Sequence, residues 1–237
     1  MKAILKGGVE MSFRGNLYGF LGYYNHSKRN YEKALSLYKK AEKLGIGSET
    51  FQLSYGVLLL KKGDFEKARD LFSKVLINAS KEKIKNISKI NLSLAYWKMG
   101  QLDTAEEMLR EVQTKYNTST VYGALGYILI EKGDLDEALK YNLEALEYDD
   151  EDPVVLDNLA QNYYRMGEID KAKEYFLKAE QEKSDQPDTL YYLACIYEKE
   201  GDVEAARKKL RKALSCNITP LNTVKRSTIE DKLKEIE

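Results

Sequence analysis

Gly63-Asp64-Phe65-Glu66-Lys67-Ala68 is the stretch whose reading decides the fold, because it returns along the chain. It reappears as Gly100-Gln101-Leu102-Asp103-Thr104-Ala105, Gly133-Asp134-Leu135-Asp136-Glu137-Ala138, Gly167-Glu168-Ile169-Asp170-Lys171-Ala172 and Gly201-Asp202-Val203-Glu204-Ala205-Ala206. An earlier copy, Arg29-Asn30-Tyr31-Glu32-Lys33-Ala34, lacks the glycine. The closing alanines stand at 34, 68, 105, 138, 172 and 206, so the spacings are 34, 37, 33, 34 and 34. Six copies near one period mark a repeat array, in which each unit is too small to bury its own apolar face.

Each copy reads as two helices joined by a tight turn. The glycine falls where the first helix must stop, in the left-handed conformation that costs glycine least. The residue after it opens the second helix, and its acidic examples can accept from orphan N–H groups and meet a favourable dipole. In the first copy Asn30 is the residue suited to either task. The second helix carries apolar or small residues three and four apart, as in Phe65, Ala68, Phe72 and Val75. With the alanine as position 20 of a 34-residue unit, position 8 holds Gly22, Gly56, Ser93, Gly126, Ala160 and Ala194, and position 27 holds Ala41, Val75, Val112, Ala145, Ala179 and Ala213. Small residues at 8 and 20 let the two helices approach closely, and bulk at 7, 11, 17 and 24 fills the space around them.

The pattern resembles the tetratricopeptide repeat, whose signature places Leu-Gly, Tyr, Ala and Phe at these offsets. Leu21-Gly22 and Leu125-Gly126 match the Leu-Gly pair, Tyr96, Tyr163 and Tyr197 the tyrosine, and Phe72 and Phe176 the phenylalanine. The resemblance covers residues 15–218. It implies an all-α fold, a right-handed superhelical solenoid of about six helix-turn-helix units near 15–48, 49–85, 86–118, 119–152, 153–186 and 187–220. Gln52 and Lys89 depart from it at position 4, where a large apolar residue is expected, and Asn142 replaces the aromatic at position 24. The family's proline at position 32 is missing. Pro153 and Pro187 stand instead at position 1, where a helix needs no N–H.

Three extra residues fall between the second and third units, within residues 78–89, in a stretch bearing Lys81, Lys83, Lys85 and Lys89. It reads as a longer solvated connection. Residues 147–152 carry five carboxylates but lack the glycine and ligand order of a calcium loop, and read as the cap before Pro153. Beyond Pro220, Ile229, Leu233 and Ile236 share one helical face, and Ser227 with Glu230 fits a capping box. Residues 221–237 are therefore expected to form a capping helix, which a repeat array needs at its end. Residues 1–14 read as an extension or partial cap.

Thirty-eight Lys and Arg balance thirty-eight Asp and Glu. That balance lacks the basic excess a nucleic-acid binder uses against phosphate. No apolar run approaches a membrane span. Cys195 and Cys216 make no disulfide framework and suit a reducing, cytoplasmic setting. His26 is the sole histidine, and no zinc, phosphate-loop or cysteine-pair motif occurs. Catalysis, a cofactor and a metal are accordingly not expected.

Stacked helix pairs present an extended concave surface. The resemblance implies that positions 2, 5, 6, 9, 12 and 13 of each first helix face it. Those positions supply the candidate protein- or peptide-binding residues Phe20, Tyr23, Asn91, Trp97, Tyr127, Asn158, Gln161, Tyr164, Arg165, Tyr191 and Tyr192, with His26 beside the first two. Aromatics of this kind join large apolar area to a polar tip. A clamp for a chaperone's C-terminal carboxylate is not expected, because its cations are missing: Asp188 and Tyr192 stand where Lys and Arg should. The expected function is a non-catalytic protein–protein interaction scaffold whose groove takes a peptide or protein segment. The alternatives are a peptide-sensing regulator and a self-associating assembly module.

Overall fold

The computed structural model describes residues 3–4 and 10–236. A minimal antiparallel pair, β1 (Ala3–Ile4) and β2 (Glu10–Met11), precedes thirteen helices among the described residues. The chain divides into two compact units, 1–101 and 102–237. The first holds α1 (Phe13–Ser27), α2 (Tyr31–Lys43), α3 (Glu49–Lys62), α4 (Phe65–Asn78) and α5 (Glu82–Lys98). The second holds α6 (Leu102–Gln113), α7 (Ser119–Lys132), α8 (Leu135–Tyr148), α9 (Pro153–Met166), α10 (Ile169–Glu182), α11 (Pro187–Lys199), α12 (Val203–Ser215) and α13 (Arg226–Glu235).

Within each unit, consecutive helices pack as the sequence period requires. The position-20 alanines are completely buried, and position 27 is at most 1% exposed. The small residue at position 8 is what lets the bulky one at 24 lie flat between the helices. A Cβ on Gly22 would stand 2.8 Å from the Tyr38 ring, and one on Gly56 2.5 Å from Phe72. In the fourth repeat the partner is Asn142, which lies buried and donates to the Gly126 carbonyl at 3.5 Å. Gln52, the other polar intruder, donates to the Ile46 carbonyl at 2.9 Å and so closes the connection before its own helix.

The turn between paired helices is made by glycine at positive φ, 80° at Gly63. In the first repeat Arg29, not Asn30, occupies that left-handed position, at φ 59°. Asn30 precedes α2 but makes no side-chain cap, and neither do Asp64 and Glu168. Asp134 and Asp202 do cap, accepting from Glu137 N and Ala205 N at 3.0 Å. A non-glycine residue in the left-handed region carries steric strain. Arg29→Gly is therefore expected to raise stability by ~0.5–1 kcal/mol, after the added freedom of the unfolded chain is subtracted. A chemical-denaturation midpoint at or below the parent's would contradict it.

Three boundaries differ from the sequence reading. Helix α1 starts at Phe13, capped by Ser12, whose side chain accepts from Gly15 N. The three additional residues after α4 do not lengthen a loop. They extend α5 by nearly a turn to 17 residues, so the boundary expected at 85/86 lies inside a helix. At the C-terminus α13 begins at Arg226, so Ser227 is inside the helix and no capping box forms. Residues 219–225 instead run as a non-helical segment, for a reason found in the groove below. Ile229 of α13 is completely buried in a cluster with Leu190, Ala194, Ala206, Leu210 and Ala213, against which Leu233 and Ile236 also pack.

Candidate functional site

In the first unit the candidate positions are open. Phe20 is 52% and Tyr23 42% exposed, and both rings lean on Phe51 of α3 with centroids 6.3 and 5.9 Å away. Helix α1 comes this close to α3 because Gly19 leaves room, since a Cβ there would meet Phe51 at 2.9 Å. One turn further on, His26 Nδ1 lies 2.8 Å from Ser54 Oγ, and the Tyr38 hydroxyl donates to the same oxygen at 2.8 Å. Burial, and then the Lys61 charge, hold the His26 pKa below its ordinary value. Asn91 spends its amide on the Ile87 carbonyl of its own helix, at 2.8 Å. The half-buried Trp97 carries the Lys98 ammonium 3.7 Å from its ring centroid.

The second unit corrects several sequence-derived candidates. Nine consecutive residues of α9, Val155 to Tyr163, are buried, so this helix is covered on every side. Asn158 is 1% exposed and donates to the Gly123 carbonyl of α7 at 2.8 Å. Gln161 is 2% exposed and donates to Asp157 Oδ2 at 2.6 Å. Both serve the packing of α7, α9 and α11 and neither presents a free amide to solvent. The cause is close approach: Gly123 and Gly126 bare the α7 backbone, and α9 settles against it. Arg165 is more open, but its guanidinium is paired with Glu131 and donates to the Ile130 carbonyl at 3.1 Å. Tyr164 and Tyr192 face each other at 5.1 Å; Tyr192 also stacks on Phe176 at 5.4 Å and meets Tyr191 edge-on at 5.6 Å.

The electrostatics here are those of a buried acidic face. Asp157 accepts from the Thr189 hydroxyl at 2.5 Å as well as from Gln161. Burial still dominates, and with the Asp188 charge nearby it pushes the Asp157 carboxyl up to about 6. Burial likewise raises the Tyr192 hydroxyl to about 12. Burial is also the largest cause that raises the Tyr127 hydroxyl. The Cys195 thiol is raised by burial, the opposite of what a nucleophile needs. Among the described residues no group of His, Cys, Asp or Glu could hold a metal, and no helix is long and apolar enough to cross a membrane.

The residues that the repeat register could not supply are Asn222 and Val224. Asn222 donates from Nδ2 to Asp188 Oδ2 at 2.7 Å, and the Val224 backbone N–H donates to Asp188 Oδ1 at 2.7 Å. They lie past the last repeat, where no period points to them.

Three sequence profiles match in succession: a tetratricopeptide repeat over residues 12–41, a tetratricopeptide repeat-like domain over 48–156, and the YpiA-like C-terminal tetratricopeptide repeats over 153–219. No curated protein sequence matches the chain. Among solved structures, a tetratricopeptide repeat protein from Parabacteroides merdae is similar at TM-score 0.79 and 17% identity, over 94% of this chain and 84% of that one. A chain of the APC/C hetero-tetramer Cut9–Hcn1 is similar at TM-score 0.70 and 13% identity, over 94% of this chain but 42% of that one. A thermophilic tetratricopeptide repeat protein from Thermus thermophilus is similar at TM-score 0.66 and 20% identity, over 80% and 98%. At such identities the likeness is one of fold. Three successive profiles and the shared architecture agree with the helix pairs themselves, and the chain belongs to the tetratricopeptide-repeat family, with an all-α helical-repeat solenoid fold.

Proposed function

We propose that the chain is a non-catalytic interaction scaffold that takes an extended segment of a partner protein on the inner face of its first unit. The fold supports protein interaction in general, and the solved Cut9–Hcn1 assembly holds a chain of this architecture in a complex. The observation that carries the finer reading is the exposed pair Phe20 and Tyr23 resting on Phe51. Rigid aromatic rings half in solvent lose little freedom on binding and offer a platform for an apolar side chain, with Ser54 and His26 as polar neighbours.

Truncating a central aromatic anchor removes much of an interface's energy. Phe20→Ala or Tyr23→Ala should weaken binding of a partner, captured from the native cell and identified by mass spectrometry, by at least about tenfold, which is ~1.4 kcal/mol. Lys74→Ala, on the exposed side of α4, should leave it unchanged. Titration calorimetry with circular dichroism of each variant measures both. Normal binding by both aromatic variants would remove this face from consideration. The apolar stripe Phe13, Leu17, Phe20 and Tyr24 on α1 sets up one alternative outcome. A mass that grows with concentration and falls on Leu17→Ser would assign that stripe to a second copy of the chain.

A further inference from the structure

The inner face of the second unit is lined by carboxylates, yet it is closed. Asp157, Asp188 and Glu131 stand on successive first helices, α9, α11 and α7, and of these three Glu131 alone is balanced by a cation, Arg165. Gln161, 2% exposed, has given its N–H to Asp157, and its Oε1 accepts from nothing. A buried carbonyl oxygen without a donor costs free energy unless a ligand supplies one. Such a face calls for N–H and O–H donors and repels acidic groups.

The chain's own tail supplies donors of this kind. After α12, Pro220 prevents helix continuation and Asn222 closes a short turn, its Oδ1 accepting from Thr219 N at 2.8 Å. The turn presents one side-chain amide and, two residues on, one backbone N–H, which together engage both oxygens of Asp188. Val224 is anchored among Leu190, Ala194 and Ile229.

We propose that residues 219–224 are an internal ligand of the second unit, and that this face takes short, non-helical, uncharged peptide segments in which an Asn amide and the backbone N–H two residues later bind one carboxylate. The proposal rests on the reading that the inner faces are peptide surfaces, and it makes the second face self-occupied where the first is open. A partner segment of the same chemistry binds the second face only by displacing the tail, while α13 stays packed through Ile229.

Hydrogen–deuterium exchange on the full chain tests occupancy without any partner. The Val224 amide should be protected in the parent chain and exchange at least about tenfold faster in Asp188→Asn, with α12 amides unchanged. Asn222→Ala is the second variant, should the first lose helix content. Competition is then read with a fluorescent peptide of residues 217–225 as probe. The chain carrying Asn222→Ala should bind it at least about tenfold more tightly than the parent, and adding Asp188→Asn should abolish that gain. An unprotected Val224 in the parent overturns the internal ligand. A protected tail with no gain in peptide binding makes the segment a structural clasp and overturns the ligand chemistry. Neither result alters partner binding through Phe20 and Tyr23, so failure here is distinct from failure of the function proposed for the first unit.

Discussion

Asp157→Asn is expected to gain stability relative to the parent chain as pH rises from 4 to 7, by ~3 kcal/mol over that range. Burial and the neighbouring Asp188 raise the folded-state pKa of Asp157 from 3.8 to about 6. At ~1.36 kcal/mol per unit, that shift is a cost of ~3 kcal/mol carried by the folded state once the group is ionised. Below pH ~4 the carboxyl is protonated in both states and the cost vanishes; above ~6 it is ionised in both and the cost is complete. The folded chain therefore loses this contribution as pH rises, opposite in sign to Glu106 and Glu180, whose pKa values are lowered by Lys and Arg partners. Subtracting the two proteins at each pH cancels those ordinary carboxylates. Asparagine keeps an oxygen for one donor, while Gln161 can turn its unpartnered Oε1 toward the new amide. Urea titrations at pH 4, 5, 6 and 7 measure the difference, and a pH-independent gap would show that Asp157 is not desolvated.

The second large effect lies where positions 8 and 24 meet. Phe72→Ala should cost ~3–5 kcal/mol, because a completely buried ring is lost and its space is only partly reclaimed. Gly56→Ala alone should cost ~1–3 kcal/mol, since its Cβ would stand 2.5 Å from two ring atoms. The double substitution should cost less than the two together, because the new methyl then enters the cavity instead of striking the ring. A coupling of ~0.5–3 kcal/mol is the expected size for residues in direct contact. Additive losses would mean that the helices simply move apart and that position 8 does not govern their spacing.

Asn158 shows how far a register carries and where it ends. The family resemblance implies the inner side of α9 for it, but its amide is used on the Gly123 carbonyl, and a variant there tests packing before it tests binding. Phe20, at the same position of the first repeat, stays half exposed, because α1 has no earlier repeat helix beside it among the described residues. Identical register positions thus differ in accessibility according to what stands next to them.

The amino-acid sequence by itself determined the helix pairs, their turns and the alternation of small and large residues between them. These are local matters: helical period, glycine at positive φ, proline at a helix start, and contacts between neighbours in the chain. Which positions look inward was implied by the family resemblance. Only the tertiary structure decided which of those positions remain open. The closure of the second unit depends on Asp188 meeting Asn222 and Val224, across 34 and 36 residues of chain. No periodic pattern encodes such a meeting, because the segment after Pro220 is held by single hydrogen bonds to side chains that the stacked helices bring together.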